Sequence, residues 1–242
     1  MDGGMKRWYD AAQKRYSVRK YESEPDLEQM LALERAAESL CARGVRVAVA
    51  VDERAFRGIK GSRIKGTTAF AAFLSSDAEP FAVGYIGEAF ILECTAMGLG
   101  TCWLGANFSK SGVSKAIGLR EGEKLVCVTP IGIPAEPYAK RPRKSIEELT
   151  WLNDAEYAAL PGWQREAIAC ARMAPSAINA QPWEFLPDGD GVTVRRASLN
   201  FGFGALDCGI AMLHMELGAA HAGVTGTWRQ TKGGRTFVPD VK

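Results

Sequence analysis

The chain is 242 residues long, with 47% hydrophobic and 24% charged residues, proportions that exclude extensive disorder. Its net charge of +2 excludes a bulk polyanion-binding surface, so any bound anion must be met by a local cluster of cations. No stretch approaches the ~18 apolar residues of a membrane span, and MDGGMKRWYD lacks the apolar core of a secretory signal, so the expected compartment is the cytoplasm.

In chain order, Leu27, Met30, Leu31, Leu33, Ala36, Ala37 and Leu40 recur at steps of three and four, which predicts a helix over Pro25 to Arg43. Gly44 closes it, and the β-branched run Val45 to Val51 predicts a strand. Phe70 to Leu74 reads as a second strand. Tyr85 to Gly98 is apolar on nearly every side, the pattern of a helix buried in the middle of a fold. Lys124 to Ile133 reads as a strand stopped by Gly132 and Pro134, and the Pro-rich basic stretch from Pro134 to Lys144 as a loop. Beyond it lie a helix over Trp163 to Met173 and a hairpin of Trp183 to Leu186 with Val192 to Arg196, turning at Pro187-Asp188-Gly189. A further helix runs over Asp207 to Gly223. Helix and strand mixed without strict alternation imply an α+β fold rather than a doubly wound sheet.

The last helix repeats features of the central one. At one constant offset Gly84 meets Gly209, Phe90 meets Met215, Leu92 meets Leu217 and Gly98 meets Gly223. Small and apolar matches arise by chance in buried helices; the other reading is an internal duplication of two halves. Six cysteines are scattered without CxxC spacing and read as buried reduced thiols. The histidines, His214 and His221, have no Cys or carboxylate cluster beside them, so no metal site is expected.

Four segments could carry chemistry. In Arg15-Tyr16-Ser17-Val18-Arg19, an extended backbone projects Arg15, Ser17 and Arg19 to one side, a row suited to a phosphate or a negative ring edge. Two arginines near a terminus also make an ordinary solvated face. Lys140-Arg141-Pro142-Arg143-Lys144 is either surface charge or further cations for a phosphate, with Pro142 stiffening the loop. Pro175-Ser176-Ala177-Ile178-Asn179-Ala180-Gln181-Pro182 offers a hydroxyl and two amides between fixed ends, suited to a heteroaromatic edge or to simple capping of a turn. Gly98-Leu99-Gly100-Thr101-Cys102-Trp103-Leu104-Gly105 permits close backbone approach to a flat ligand but is no dinucleotide fingerprint. Nothing marks Cys102 as a nucleophile, and no catalytic residue is assigned.

Together the four segments resemble the nitroreductase family of FMN enzymes. RYSVR resembles its Arg-x-Ser-x-Arg motif, APSAINAQPWEF its Pro-Ser-x-x-Asn-x-Gln-Pro-Trp motif, and GLGTCWLG the segment over the flavin ring. KLVCVTPIGIP with KRPRKSIEEL resembles the closing strand and phosphate loop. The order departs from the family, whose Pro-Ser-Asn motif follows shortly after the Arg-Ser-Arg motif; here it comes after everything else. The resemblance therefore implies a nitroreductase-like α+β fold built as a single-chain pseudodimer, with central antiparallel or mixed sheets and long buried helices. Residues 1–150 would form one half and 151–242 the other, packed as one globular unit with one flavin site per chain.

By that resemblance Arg15, Tyr16, Ser17 and Arg19 would meet the phosphate and the flavin N1/O2 edge. Pro175, Ser176, Ala177, Asn179 and Gln181 would come from the other half. Trp103, Leu104 and Gly105 would lie near the ring, and Arg141 and Arg143 would meet the phosphate. The implied activity is hydride transfer from NADH or NADPH through flavin N5 to a small nitroaromatic or quinone acceptor. A flavin-binding sensor without turnover is the alternative. The expected partners are small molecules, with no nucleic acid or membrane, in a monomeric pseudodimer or weak homodimer.

Overall fold

The computed structural model describes every residue except Asp2, Arg43, Ser62, Lys140, Asp190, Val241 and Lys242. Lys140 of the basic run and Arg43, the expected helix end, therefore lie outside the described residues. The chain divides into two compact units, residues 14–141, and residues 1–13 together with 142–242. The sequence had placed the division after residue 150 and the whole N-terminus in the first half.

Helix α1 (Gly3–Lys14) was not predicted: it begins on two glycines and has no acidic residue in its first turn. Its Tyr9 donates a 2.7 Å hydrogen bond to Glu166, and the Tyr9 ring stacks on His221 at 3.9 Å with planes 6° apart. These contacts tie α1 to the residues of the C-terminal unit.

The unit of residues 14–141 holds β1 (Tyr21–Ser23), α2 (Leu27–Leu40), β2 (Val45–Val51), β3 (Ala69–Ser75), α3 (Pro80–Ala96), β4 (Gly100–Thr101), α4 (Lys110–Ala116) and β5 (Lys124–Pro134). Asp26 starts α2 by a capping box with Gln29, which satisfies two N–H groups that the first turn leaves free. Pro80 opens α3 at a position where its missing N–H costs nothing, so this helix starts earlier than its apolar run implied. The sheet runs β1-β5-β3-β2, with β4 also on β5, and every pair is antiparallel. Strand β3 sits between β5 and β2 and is buried along nearly its whole length, which explains its unbroken AFAAFL run. Phe70, Ala72 and Leu74 of β3 join Phe56, Phe108, Val113 and Val128 in the core, with Ile64 and Leu104 packed against it.

The other unit adds α5 (Ile146–Thr150), α6 (Asp154–Ala159), α7 (Gly162–Arg172), β6 (Trp183–Asp188), β7 (Gly191–Arg196), α8 (Gly204–His221), β8 (Gly226–Thr231) and β9 (Gly234–Pro239). Its antiparallel sheet runs β6-β7-β9-β8. The expected turn at Pro187-Asp188-Gly189 is corrected: Pro187 pairs with Val192 and Asp188 with Gly191, so both proline and aspartate belong to the ladder. Helix α8 is buried on nearly all sides, as its sequence implied. All six cysteines are free and five are buried; Cys41, expected inside, is exposed at the end of α2.

The two units share a connectivity. In one, a helix leads to β2-β3, then α3, then β5; in the other, α7 leads to β6-β7, then α8, then β9. In space the orders are β5-β3-β2 and β9-β7-β6.

Candidate functional site

In the unit of residues 14–141 the site is built on the chain leaving α1. Residues 15–20 run extended, and Val18 donates its N–H to the carbonyl of Thr101 at 2.8 Å, with Ser17 bridged in parallel to Thr101. This approach needs Gly100, because a Cβ there would stand 2.7 Å from Val18 Cγ2. Val18 turns inward and is fully covered, so the alternation of an extended chain assigns Arg15, Ser17 and Arg19 to the opposite side.

Arg15 is the unusual member. Its side chain is only 3% exposed, and its nearest carboxylate, Glu88 Oε1 in the middle of α3, lies 3.9 Å away. Among the described residues, Arg15 Nε and Nη1 have no hydrogen-bond partner, and neither has the buried hydroxyl of Thr101. The other Glu88 oxygen accepts 2.8 Å from Trp103 Nε1. A guanidinium buried with idle donors costs free energy unless an anion completes it.

The other cations converge nearby. Burial pushes the Cys102 thiol up, while Arg19, Arg15, a hydrogen bond with Ser17, and Arg141 pull it back. Four of the expected ligands thus act on one thiol, and the Cys102 backbone N–H donates to Thr129 Oγ1 at 3.0 Å. The remaining expected residues of this unit are placed differently. Tyr16 gives its hydroxyl to the carbonyl of Glu136 and sets its ring edge-on to Tyr138. Trp103 lies against Phe73 with ring centres 4.5 Å apart. Leu104 packs on the core and exchanges backbone hydrogen bonds with Val128, and Gly105 is half-buried beyond it. Leu104 therefore offers a ligand its backbone environment more than its side chain.

The expected residues of the other unit are joined in a polar network. Asn179 accepts from Arg143 Nη1 and donates to the carbonyl of Pro142 at 3.0 Å. Arg143 Nη2 donates to the carbonyl of Met173 at 2.8 Å. Gln181 accepts from the backbone N–H of Lys144 at 2.9 Å, and its own N–H donates to Ser176 Oγ at 2.8 Å. Arg143, expected at a phosphate, thus gives Nη1 and Nη2 to the loop, and Pro175 is buried at its base. Ile178, Asn179 and Gln181 all have positive φ, which is costly for a β-branched residue such as Ile178.

The clasp that holds this loop was missed from sequence. Asp207, buried at the start of α8, accepts from the backbone N–H of Ala177 at 3.0 Å and from Asn200 Nδ2 at 2.7 Å. Asn200 Nδ2 also donates to the carbonyl of Ala177 at 3.1 Å. Burial pushes the Asp207 carboxyl up to about 6 against the pull of these bonds. The available signal was an acid set among apolar residues of a helix, and Glu88 of α3 carried the same signal. Among the described residues no cluster suited to a metal ion is present, and no helix is long and apolar enough to cross a membrane.

Residues 7–219 match the family model described as "Putative TM nitroreductase". A structure described as a "putative nitroreductase" from Thermotoga maritima MSB8 is similar at 20% identity with a TM-score of 0.68, covering 95% of this chain and 91% of that one. An FMN-dependent nitroreductase from Clostridium difficile R20291 is 16% identical with a TM-score of 0.46, covering 62% of this chain and 96% of that one. No curated protein matches. The Thermotoga likeness shows the nitroreductase-like α+β fold.

Proposed function

The chain belongs to the Putative TM nitroreductase family, which gives it an oxidoreductase role, and from that premise we propose an FMN-dependent enzyme that carries hydride from NADH or NADPH to a small nitroaromatic or quinone acceptor. The observation that carries the reading is Arg15, a buried guanidinium with two idle donors beside Arg19, Arg141 and Ser17. Those residues fit FMN, which brings a phosphate dianion and an electron-poor pyrimidine edge to be met by positive charge. Bound FMN supplies the redox chemistry, accepting and donating a hydride at N5.

The protein's contribution is electrostatic and steric. Arg15, Arg141 and Ser17 bind the phosphate, and Arg19 sets positive charge at the N1/O2 edge. Trp103, oriented by Glu88 and Phe73, and the backbone at Leu104 and Gly105 form an apolar wall that excludes water. Tyr16, Arg143, Pro175, Ser176, Ala177, Asn179 and Gln181 are proposed for the same cofactor on the strength of the motifs. The shared connectivity of the two units supports an internal duplication, and six free thiols support a reducing, cytoplasmic setting.

The test is direct. Purified protein should show or acquire a flavin spectrum, and NADH or NADPH should bleach it without oxygen. Arg15→Gln should raise the FMN dissociation constant by roughly tenfold or more with an unchanged circular dichroism spectrum. A yellow protein that neither nucleotide bleaches would instead be the flavin-binding sensor, and one that takes up no FMN would end both readings.

A further inference from the structure

The segment between β2 and β3 carries charge that the flavin reading does not use. Residues Arg54, Arg57, Lys60, Arg63 and Lys65 follow one another with Gly58, Gly61 and Gly66 between them, each glycine at positive φ. Two of the five cations are neutralised locally, Arg54 by Asp52 and Arg57 by Glu53. Lys60, Arg63 and Lys65 are exposed, and among the described residues none has an ion-pair partner. Of the carboxylates on the neighbouring segments, Glu24 accepts from the N–H and hydroxyl of Thr68, and Glu136 pairs with Lys20 at 2.6 Å.

This loop is fixed beside the candidate flavin site at its Lys65 end. Lys65 donates its N–H to the carbonyl of Arg19 at 3.0 Å, and its own carbonyl accepts from Tyr21 at 2.9 Å. Gly66 makes that pairing possible, since a Cβ there would lie 2.0 Å from the carbonyl oxygen of Tyr21. Between the two basic residues, Ile64 packs on the core and leaves Arg63 and Lys65 outside. At the other end Gly61 meets the Asn107 side chain, whose oxygen would be 3.4 Å from a Cβ. Asn107 follows closely on Trp103-Leu104-Gly105. The cationic loop thus spans from the Arg15–Arg19 row to the segment proposed to wall the ring.

We propose that Lys60, Arg63 and Lys65 receive the 2′-phosphate of the electron donor and select NADPH over NADH. This rests on the reading of the chain as a pyridine-nucleotide oxidoreductase. A 2′-phosphate is a dianion at neutral pH and asks for several cations. A ribose 2′-hydroxyl asks for a carboxylate acceptor instead, and Asp52, Glu53, Glu24 and Glu136 are engaged with other groups. Holding the loop to Arg19 and Tyr21 by backbone hydrogen bonds lowers the cost of ordering three long side chains around the ligand.

The experiment uses the FMN-loaded protein and the fragment 2′,5′-ADP, with 5′-AMP as the probe lacking the 2′-phosphate. Calorimetry should show 2′,5′-ADP bound roughly tenfold or more tighter than 5′-AMP, an advantage removed in Lys60→Gln/Arg63→Gln/Lys65→Gln. In steady state the same triple variant should raise KM for NADPH by a similar factor, leaving KM for NADH and the FMN dissociation constant unchanged. Equal binding of the two fragments by the unmodified protein would overturn the assignment, as would an advantage that survives in the triple variant. If neither nucleotide reduces the flavin, the oxidoreductase reading fails, while the fragment measurement still decides whether this loop recognises a 2′-phosphate.

Discussion

Asp207 concentrates the energetics of the C-terminal loop in one carboxyl group. Burial favours its protonated form in the folded chain, raising it to about 6 from an ordinary value of 3.8. A raised acid makes the folded state hold a proton that the unfolded chain has lost. Its stabilising share is therefore complete below about pH 4 and fades as pH rises through about 6. The shift corresponds to on the order of 3 kcal/mol. Urea denaturation from pH 4 to 7.5 should show the unmodified protein losing about that much relative to Asp207→Asn, whose amide does not titrate. Parallel pH curves for the two proteins would show that the carboxyl titrates as it does in water. The substitution also leaves the clasp one acceptor short, because an amide oxygen can receive from Ala177 or Asn200 while its NH2 faces the other donor. A constant destabilisation of about 1–3 kcal/mol is expected on top of the pH-dependent part.

Helix packing shows what a pattern of residue types can and cannot convey. The apolar run of α3 identifies it as buried, and α8, matched to it in sequence, is buried as well, because few solvent-facing positions interrupt either. The reason for a glycine inside α8 was invisible until α7 was in place. A Cβ on Gly218 would fall 2.5 Å from the carbonyl oxygen of Glu166 and 2.7 Å from Ala167 Cα, both backbone atoms that cannot turn aside. Gly218→Ala should therefore destabilise by about 2 kcal/mol despite alanine's better helix propensity, read as a lower denaturation midpoint. Gly162→Ala, whose Cβ would meet only an arginine tip at 3.9 Å, should be close to neutral.

Other elements escaped sequence reading for local reasons. Strands β1 and β4 are three and two residues long, too short for a period to register. Strands β8 and β9 are mostly half-exposed and polar, and are recognised as strands through their pairing. The cation row at Arg15–Arg19 was legible because an extended chain sorts its side chains by parity. Its burial against Glu88 was not, since that depends on where α3 passes.

At the scale of the whole chain, a net charge of +2 conceals two local concentrations of cations in the unit of residues 14–141, one centred on the buried Arg15 and one wholly exposed. The buried set is expected to raise stability only when its anion arrives. FMN at a hundred times its dissociation constant should add about 2.7 kcal/mol to unfolding, and Arg15→Gln should lose most of that increment at the same concentration. Hydrogen exchange locates the increment along the sequence. Residues 15–19 and 100–105 should slow on loading, because the Val18 N–H already donates to the Thr101 carbonyl and the Cys102 N–H to Thr129 Oγ1, bonds that ligand contact would make harder to open. The Pro-Ser-Asn motif predicts slowing at residues 175–181 as well, even though the side chains of that loop are satisfied within their own unit. Unchanged exchange there, with full protection at residues 15–19, would strike the loop from the ligand set. Arg15, Ser17, Arg19 and Arg141 would then be the whole phosphate and ring-edge site, and the strained Ile178 backbone would need a purpose other than flavin.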